Sequence, residues 1–330
     1  MTLNVAVLGA GAVGARVVRQ LASTPQVTSI TVADLDARRA AGVAAAIAEP
    51  RRVVAVPPGP TWSSGADVAV LATPSGHRAE LERLLEAGIA VVSTADGLDE
   101  VRSLLALEAE ATERRLPVVL GAGFGPGLTD ILAAHAAATF DAVDEIHISR
   151  LGTGGPACAR QHHRALAGET VEWRNGTWTR RRAGSGRELA WFPDPLGPAD
   201  CYRAAVPDPL LLAAAFRGVE RVTARLAANR RDRLTAHFPM LRPPHRETGL
   251  GAIRVEVRGR RGAARDVQVL GAIDRPAIAA GAVAALAAVA AANGEVPPGM
   301  GGLARGIAPV PFLAELARRG VKAAAFVGDG

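Results

Sequence analysis

The sequence predicts an α/β protein, in which an N-terminal Rossmann-type doubly wound parallel sheet precedes a second α+β domain containing a mixed or antiparallel sheet. Over the first 120 residues, short apolar runs alternate with helical patterns, and a glycine-rich turn joins the first strand to the first helix. After about Asp144 the pattern changes to hairpin signals. Apolar strands alternating with helices are typical of a parallel sheet covered on both faces. The 330 residues fit two domains of roughly 100–200 residues each.

The predicted strands of the first part are short β-rich runs at residues 4–9, 30–34, 52–56, 67–73, 89–94 and 116–121. Helical patterns at 76–87 and 98–114 separate the last three strands. In the second part, Asn175-Gly176 lies between strand-like flanks and predicts a type I′ hairpin. Two further runs, GAIRVEVRG and DVQVLGAID, predict a strand pair, and the alanine-rich stretch Ala277 to Ala292 predicts a buried helix.

Charge and composition exclude several functional classes. The net charge of +6 comes from 37 arginines and one lysine in scattered short clusters, and only 12 aromatic residues could stack on bases, so we expect no nucleic-acid partner. The longest apolar run is shorter than the roughly 20 residues of a membrane span. Two cysteines and no visible export signal lead us to expect a reducing, cytoplasmic location and no membrane partner.

The glycine-rich turn predicts a dinucleotide site, because G-x-G-x-x-G follows a strand, opens a helix and precedes Asp34, which lies 20 residues beyond the last glycine. Unpaired N–H groups at such a helix start bind phosphates. Asp34 favours NAD because its charge opposes a 2′-phosphate, while Arg38 and Arg39 keep NADP open. The predicted cofactor residues are Gly9, Ala10, Gly11, Ala12, Val13, Gly14, Asp34 and Leu35, with Ala72, Thr73, Pro74, Thr94 and Ala95 from later strand ends.

With these elements in order, the sequence resembles the saccharopine dehydrogenase-like family of NAD(P)-dependent oxidoreductases. The resemblance rests on VLGAGAVGARVV, VADLDARRA, DVAVLATPSG and EAGIAVVSTAD, and above all on GAGFGPGLTDILA with its G-x-x-P-G turn, Gly123 to Gly127. It implies a split architecture with a NAD(P)-binding Rossmann domain at 1–125, an α+β substrate and dimerisation domain at 126–300, and a C-terminal helical segment at 301–330 that returns to the first domain. Relatives of this kind interconvert an amine and an imine by hydride transfer.

The candidate proton-transfer groups are histidines, whose unperturbed pKa lies near neutrality. His162 and His163 lie in the stretch SRLGTGGPACARQHHRAL, Ser149 to Leu166, which has no clear period and reads as an irregular loop beside the cofactor domain. We prefer His163; the competing explanation is that both histidines bond backbone carbonyls. Asp96, at a strand's carboxyl end, is a second candidate for orienting an amine, unless it caps the following helix.

An arginine of the same stretch is expected to clamp a substrate carboxylate, since a guanidinium matches it bidentately. The candidates are Arg150, Arg160 and Arg164, and Phe124 of the glycine turn is a further substrate contact. Cys158 beside His162 and His163 offers metal-ligand types, but no second cluster completes a tetrahedral site, so we expect no metal.

These features predict an oxidoreductase that transfers hydride between nicotinamide and a C–N bond of a small amino acid or opine-like substrate. Two alternatives stay open. A Gfo/Idh/MocA-type dehydrogenase acting on a hydroxyl group shares ATPSGH, although its Glu-Lys-Pro is replaced here by Ser93-Thr94-Ala95. A non-catalytic NAD(P)-binding sensor or accessory protein is the other. By analogy we expect a homodimer through the sheet of the second domain.

Overall fold

The computed structural model describes residues 2–47, 52–240 and 249–326, so His245 lies outside the described residues. The first part of the chain supplies six strands of a seven-stranded sheet, and a segment near residue 300 supplies the seventh. The strands are β1 (Leu3–Leu8), β2 (Val27–Ala33), β3 (Val53–Val56), β4 (Val68–Leu71), β5 (Ala90–Ser93), β6 (Pro117–Val119) and β15 (Gly299–Gly301). Every neighbouring pair is parallel, in the order β3-β2-β1-β4-β5-β6-β15. The doubly wound parallel sheet expected from the sequence is confirmed.

Eleven α-helices are found in the described part of the chain, and the first five of them lie between strands of the parallel sheet, with none between β3 and β4. Their bounds are α1 (Ala12–Ala22), α2 (Ala37–Ala45), α3 (His77–Glu86), α4 (Leu98–Leu105), α5 (Glu108–Glu113), α6 (Leu128–Ala137), α7 (Pro156–Arg164), α8 (Asp208–Ala215), α9 (Arg230–Thr235), α10 (Pro276–Ala292) and α11 (Pro309–Arg318), with a 3₁₀ turn at Leu303–Arg305. None of the described helices is both long and apolar enough to cross a lipid bilayer.

The second sheet has nine strands and mixed pairing, as expected for the second domain. The strands are β7 (Ala142–Leu151), β8 (Glu169–Arg174), β9 (Thr177–Arg182), β10 (Glu188–Phe192), β11 (Gly197–Arg203), β12 (Arg221–Ala227), β13 (Gly251–Arg261), β14 (Ala264–Asp274) and β16 (Lys322–Phe326). The main path runs β10-β11-β12-β7-β13-β14-β16, and the β8-β9 hairpin joins it through β12. Among these described strands only β12 and β7 pair in parallel.

Two predictions about local structure are wrong. The stretch Ser149 to Leu166 is not an irregular loop: β7 runs into it as far as Leu151, a short glycine-rich turn follows, and α7 occupies residues 156–164. Pro156 stands at the start of α7, where the missing N–H of proline costs no hydrogen bond. The single helix expected at 98–114 is divided into α4 and α5 by a break at Ala106 and Leu107.

The alanine-rich helix α10 connects the two sheets. It packs on α1, where a Cβ added at Gly281 would lie 2.5 Å from the Cβ of Arg16, so only glycine permits this approach. After α10 the chain enters β15, which pairs with β6 at the edge of the parallel sheet. One apolar core therefore contains side chains from the parallel sheet, from α10 and from the inner face of the second sheet.

Candidate active site

A cavity of about 1050 Å³ lies at the carboxyl ends of β1, β4 and β5 and is closed on the other side by the end of β7, by α7 and by the start of α10. This edge of an open parallel sheet, where the strand order changes direction between β1 and β4, is where ligands bind in such folds. The predicted site residues on its wall are Gly9, Ala10, Gly11, Ala12, Val13, Asp34, Leu35, Ala72, Thr73, Pro74, Thr94, Ala95, Asp96, Phe124, Arg150, Arg160 and His162. Gly14, His163 and Arg164 are not part of this wall.

The three glycines of the first turn have different surroundings. A Cβ at Gly9 would lie 2.6 Å from the carbonyl oxygen of Ala72, and one at Gly14 would lie 1.8 Å from the carbonyl oxygen of Gly9. A Cβ at Gly11 would meet no atom within 4 Å, so the space in front of this residue is open to the cavity. Among the described residues no side chain caps the N-terminus of α1. The turn thus has both the room and the free N–H groups that a diphosphate needs.

Asp34 supports this turn as well as facing the cavity. Its Oδ2 accepts a hydrogen bond of 2.7 Å from the N–H of Ala10, and its Oδ1 accepts one of 2.8 Å from the N–H of Asp36. The Nη1 of Arg39, another residue of the cavity wall, lies 3.7 Å from Asp34 Oδ1. Each carboxylate oxygen can accept a second hydrogen bond, so Asp34 can still bind ribose hydroxyls.

His77 fixes two of the loops that carry predicted cofactor residues. Its Nε2 donates to the carbonyl of Thr73 at 2.9 Å, which leaves Nδ1 to accept from the hydroxyl of Ser93 at 2.7 Å. Burial lowers the pKa of His77, so the ring is neutral near pH 7. Because it bridges the ends of β4 and β5 and is not part of the cavity wall, its role is structural.

The adjacent histidines of α7 point in different directions. His162 is on the cavity wall, and its Nε2 donates to the carbonyl of Ala227 at 3.2 Å. Burial lowers the pKa of His162 to about 4, which leaves its Nδ1 as a neutral acceptor. His163 is 7% exposed and pairs through Nε2 with the hydroxyl of Thr235 at 3.1 Å. The preferred candidate therefore faces away from the cavity, because α7 turns neighbouring side chains about 100° apart.

Arg150 is a cation buried on the inner face of the second sheet. In register it faces Leu226 of β12 and Ile253 of β13, and it is 8% exposed. Its Nη2 lies 3.6 Å from Oδ2 of Asp208, a distance too long for a hydrogen bond, and its Nε has no partner among the described residues. A Cβ at Gly125 would lie 2.2 Å from the Cδ of Arg150, so the G-x-x-P-G turn makes room for this side chain.

Asp96 follows β5 and is held from the opposite side of the cavity. The Sγ of Cys158 on α7 donates to Oδ2 of Asp96 at 3.4 Å. Burial raises the pKa of Asp96, while the charge of Arg150 and the Cys158 hydrogen bond oppose that rise. The N-cap of α4 is Gly97, which excludes the capping role considered for Asp96.

Sequence reasoning did not identify the residues behind Arg150. Asp208 is fully buried, and its Oδ1 accepts a 3.0 Å hydrogen bond from the hydroxyl of Thr129. Burial, together with the charge of Asp208, raises the pKa of the neighbouring Asp130 well above its usual range. No sequence pattern links these residues, since 79 positions separate Thr129 from Asp208. Among the described residues no group of three or more histidine, cysteine and acidic side chains could hold a metal ion.

Residues 4–107 match a family model described as the NAD binding domain of semialdehyde dehydrogenase. No curated protein matches the chain by sequence. The match to the family model covers the glycine turn, Asp34 and Asp96, and therefore supports NAD(P) as the cofactor of the cavity.

Several solved structures align with nearly the whole chain. An engineered D-amino acid dehydrogenase bound to NADP⁺ aligns with a TM-score of 0.52 and 15% identity, covering 97% of this chain and 99% of its own. C. glutamicum DAP dehydrogenase aligns with a TM-score of 0.51 and 16% identity, covering 97% and 99%. A putative myo-inositol dehydrogenase from Sinorhizobium meliloti 1021 gives 0.47 and 14%, covering 97% and 95%.

These findings do not single out the saccharopine dehydrogenase-like family. They support a broader class that agrees with the glycine turn, the parallel sheet and the cavity at its carboxyl edge. The chain is an NAD(P)-dependent oxidoreductase in which a Rossmann domain is joined to a second, mixed-sheet domain.

Proposed function

We propose that the protein transfers hydride between NAD(P) and a C–N bond of a small amino acid or opine-like substrate, in keeping with the resemblance to saccharopine dehydrogenase-like enzymes. One observation carries the proposal: a buried guanidinium with an unpaired Nε, that of Arg150, shares a cavity with the Asp96 carboxyl and the glycine turn. A cation and a carboxyl are the partners that the two ends of an amino acid require.

Arg150 anchors the substrate carboxylate in this proposal. Burying an arginine without hydrogen-bond acceptors costs free energy, and an incoming carboxylate supplies two acceptors in the geometry of the guanidinium. Arg160 is exposed on the cavity wall and adds positive charge at the entrance. His163 and Arg164 receive no role because neither is on the wall.

Asp96 moves the proton. Its pKa is raised by burial, which makes the carboxylate a stronger base than a solvated aspartate. In the oxidative direction Asp96 takes a proton from the substrate nitrogen, the nitrogen lone pair forms the C=N bond, and the adjacent carbon–hydrogen bond breaks. When bound, the nicotinamide accepts that hydride, or returns it in the reductive direction. His162, neutral and fixed by Ala227, accepts a hydrogen bond from the substrate nitrogen through Nδ1.

The first test is a substrate screen with NAD⁺ and NADP⁺, in which amino acids and secondary-amine dicarboxylates are compared with polyols and hydroxy acids by absorbance at 340 nm. We expect turnover on a carboxylate-bearing amine. Asp96→Asn should then lower kcat by about 10²–10⁴. Asp99→Asn, an exposed acid three residues further along the chain, should leave kcat unchanged. Full activity of Asp96→Asn would remove Asp96 from the mechanism.

Oxidation of a hydroxyl group, as by a Gfo/Idh/MocA-type dehydrogenase, is the second candidate function, and the comparisons fit it at least as well as they fit C–N chemistry. The family model describes only an NAD-binding domain and does not distinguish the two chemistries. The same screen separates the two, because turnover confined to polyols or hydroxy acids would replace the C–N proposal.

We also propose a homodimer formed through the outer face of the second sheet. In the described residues α6 packs against the inner face of β13, while the outer face carries paired charges, among them Arg254 and Arg258 flanking Glu256. Light scattering coupled to size-exclusion chromatography should give twice the mass of the 33.9 kDa chain. A monomeric mass at micromolar concentration would contradict the proposal.

A cytoplasmic location is the last part of the proposal. Cys158 and Cys201 are both free thiols, and a reducing compartment keeps thiols in this state. Fractionation of the source cells should recover the protein with cytoplasmic markers, and recovery from the culture medium would contradict this location.

A further inference from the structure

One face of α7 contacts the Rossmann domain at every third residue. A Cβ at Gly155, the N-cap, would lie 2.8 Å from the Cβ of Ala12 at the start of α1. Three residues after Gly155, the thiol of Cys158 donates a hydrogen bond to Asp96. Three residues after Cys158, the Nε2 of Gln161 would lie 2.9 Å from a Cβ added at Gly97. Residues three apart share a helix face, so this face presents one thiol directly to the end of β5.

The position of Cys158 suits a donor rather than a nucleophile. Burial, reinforced by the nearby charge of Asp96, raises the pKa of its thiol to about 12, so the sulfur keeps its proton at physiological pH. A protonated thiol is a weak donor that tolerates apolar surroundings. The charged groups that face Asp96 from the other packed elements are Arg150 on β7 and Asp208 on α8.

We propose that Cys158 is a positioning residue for Asp96: its thiol holds Oδ2 and leaves Oδ1 as the oxygen directed at the substrate nitrogen. The inference rests on the proton-transfer role of Asp96 given above. Since Asp96 belongs to the Rossmann domain and Cys158 to α7 of the second domain, the hydrogen bond also fixes the proton-transfer group across the cleft.

The contact can be tested without a substrate, through the thiol. In a Cys201→Ala background Cys158 is the only cysteine, and its alkylation by iodoacetamide reports the fraction of thiolate. Because Asp96 raises the pKa of Cys158, Asp96→Asn should move the midpoint of the pH–rate profile down by about one unit, equal to about a tenfold faster reaction at pH 9. Asp99→Asn is the matched control. An unchanged midpoint in Asp96→Asn would overturn the inference.

The second test uses the pH profile of kcat on the substrate found by the screen. Loss of the donor in Cys158→Ala raises the pKa of Asp96, so the rising limb should move to higher pH by up to about one unit. The hydroxyl of Cys158→Ser restores a donor and should return the limb to its original position. Cys201→Ala, at the buried thiol away from the cavity, should not move it. Identical profiles for Cys158→Ala and the natural protein would overturn the inference.

The outcomes also separate this inference from the proposed function. If Asp96→Asn keeps full turnover while alkylation changes as expected, the hydrogen bond exists but the proton-transfer proposal fails, and with it the positioning role. The opposite result is that Asp96→Asn loses turnover, but neither its alkylation midpoint nor the kcat pH profile of Cys158→Ala changes. In that case the proposed function stands and Cys158 has no part in it.

Discussion

Arg150 and Asp208 form an ion pair of 3.6 Å in which Asp208 is fully buried and neither the arginine Nε nor the aspartate Oδ2 has a hydrogen-bond partner among the described residues. Each charge compensates the other, while the guanidinium still lies on the cavity wall. The ion pair explains how a cation can lie on an apolar sheet face when no anionic substrate is bound.

The first prediction concerns the stability of this pair. Arg150→Met leaves the buried Asp208 uncompensated and should lower the free energy of unfolding by about 3–5 kcal/mol. The double variant Arg150→Met/Asp208→Asn removes both charges and should lose less than the sum of the single changes. Urea denaturation at pH 7 measures both. The control is Arg160→Met, at an exposed position on the same cavity, which should change the free energy of unfolding by less than about 0.5 kcal/mol. If the loss in the double variant equals the sum of the two single losses, Arg150 and Asp208 do not interact.

The second prediction separates the roles of two glycines. Gly11→Ala adds a methyl group into open cavity space and should weaken NADH binding by about 10–100-fold, through overlap with the diphosphate, without altering the melting temperature. Gly14→Ala places its Cβ 1.8 Å from the carbonyl oxygen of Gly9 and should lower the melting temperature as well. Calorimetric titration and thermal melts test both variants. If Gly11→Ala binds NADH as tightly as the natural protein, the diphosphate does not bind at this turn.

The third prediction addresses the choice between NAD and NADP. Arg39 lies on the cavity wall beside Asp34 and can reach a 2′-phosphate, so Arg39→Ala should weaken NADPH binding by about tenfold and leave NADH binding nearly unchanged. Arg38→Ala, at an exposed neighbour outside the wall, is the control. Equal losses for both cofactors would show that Arg39 supports the loop rather than the phosphate.

The fourth prediction is a pH dependence of stability. The folded-state pKa of His162, about 4, lies below its ordinary value of 6.5, so the stability it contributes is present above pH 6.5 and is lost as the pH falls toward 4. His162→Asn should therefore reduce the loss of unfolding free energy between pH 7 and 4 by up to about 3 kcal/mol. Urea titrations across this range measure the slope. An unchanged slope in His162→Asn would show that another group is responsible for the pH dependence.

Six strands of the parallel sheet could be predicted from sequence because each is a short apolar run, and the cofactor turn could be predicted because it combines glycine spacing with an acid one strand later. The seventh strand, β15, consists only of Gly299–Gly301 and has no such pattern. The position of Asp96 on the cavity wall could be expected by the same logic, since a polar residue just beyond the carboxyl end of a buried parallel strand lies at the ligand-binding edge. These signals are local, because a strand that is covered on both faces of a parallel sheet is a nearly continuous apolar run in the sequence.

The second half was harder, because its site depends on contacts between distant segments. α7 has few apolar residues to mark a helical period, although proline after a glycine pair was a usable start signal. That only one of the adjacent histidines faces the cleft could be expected, but only the helical geometry of α7 decides that it is His162 rather than His163. Asp208 and Thr129 gave no signal, since their contacts exist only after β7, α6 and α8 come together.

The path of the chain decides whether the protein can be divided into fragments that fold separately. Residues 1–125 supply six strands of the parallel sheet, but the seventh, β15, and the covering helix α10 come from beyond residue 275. A fragment ending near the boundary expected at 125 would expose the edge of β6 and the face of α1 on which Gly281 rests. No single cut can yield two self-sufficient folding units, and heating should melt the nucleotide-binding half and its partner half in one cooperative transition.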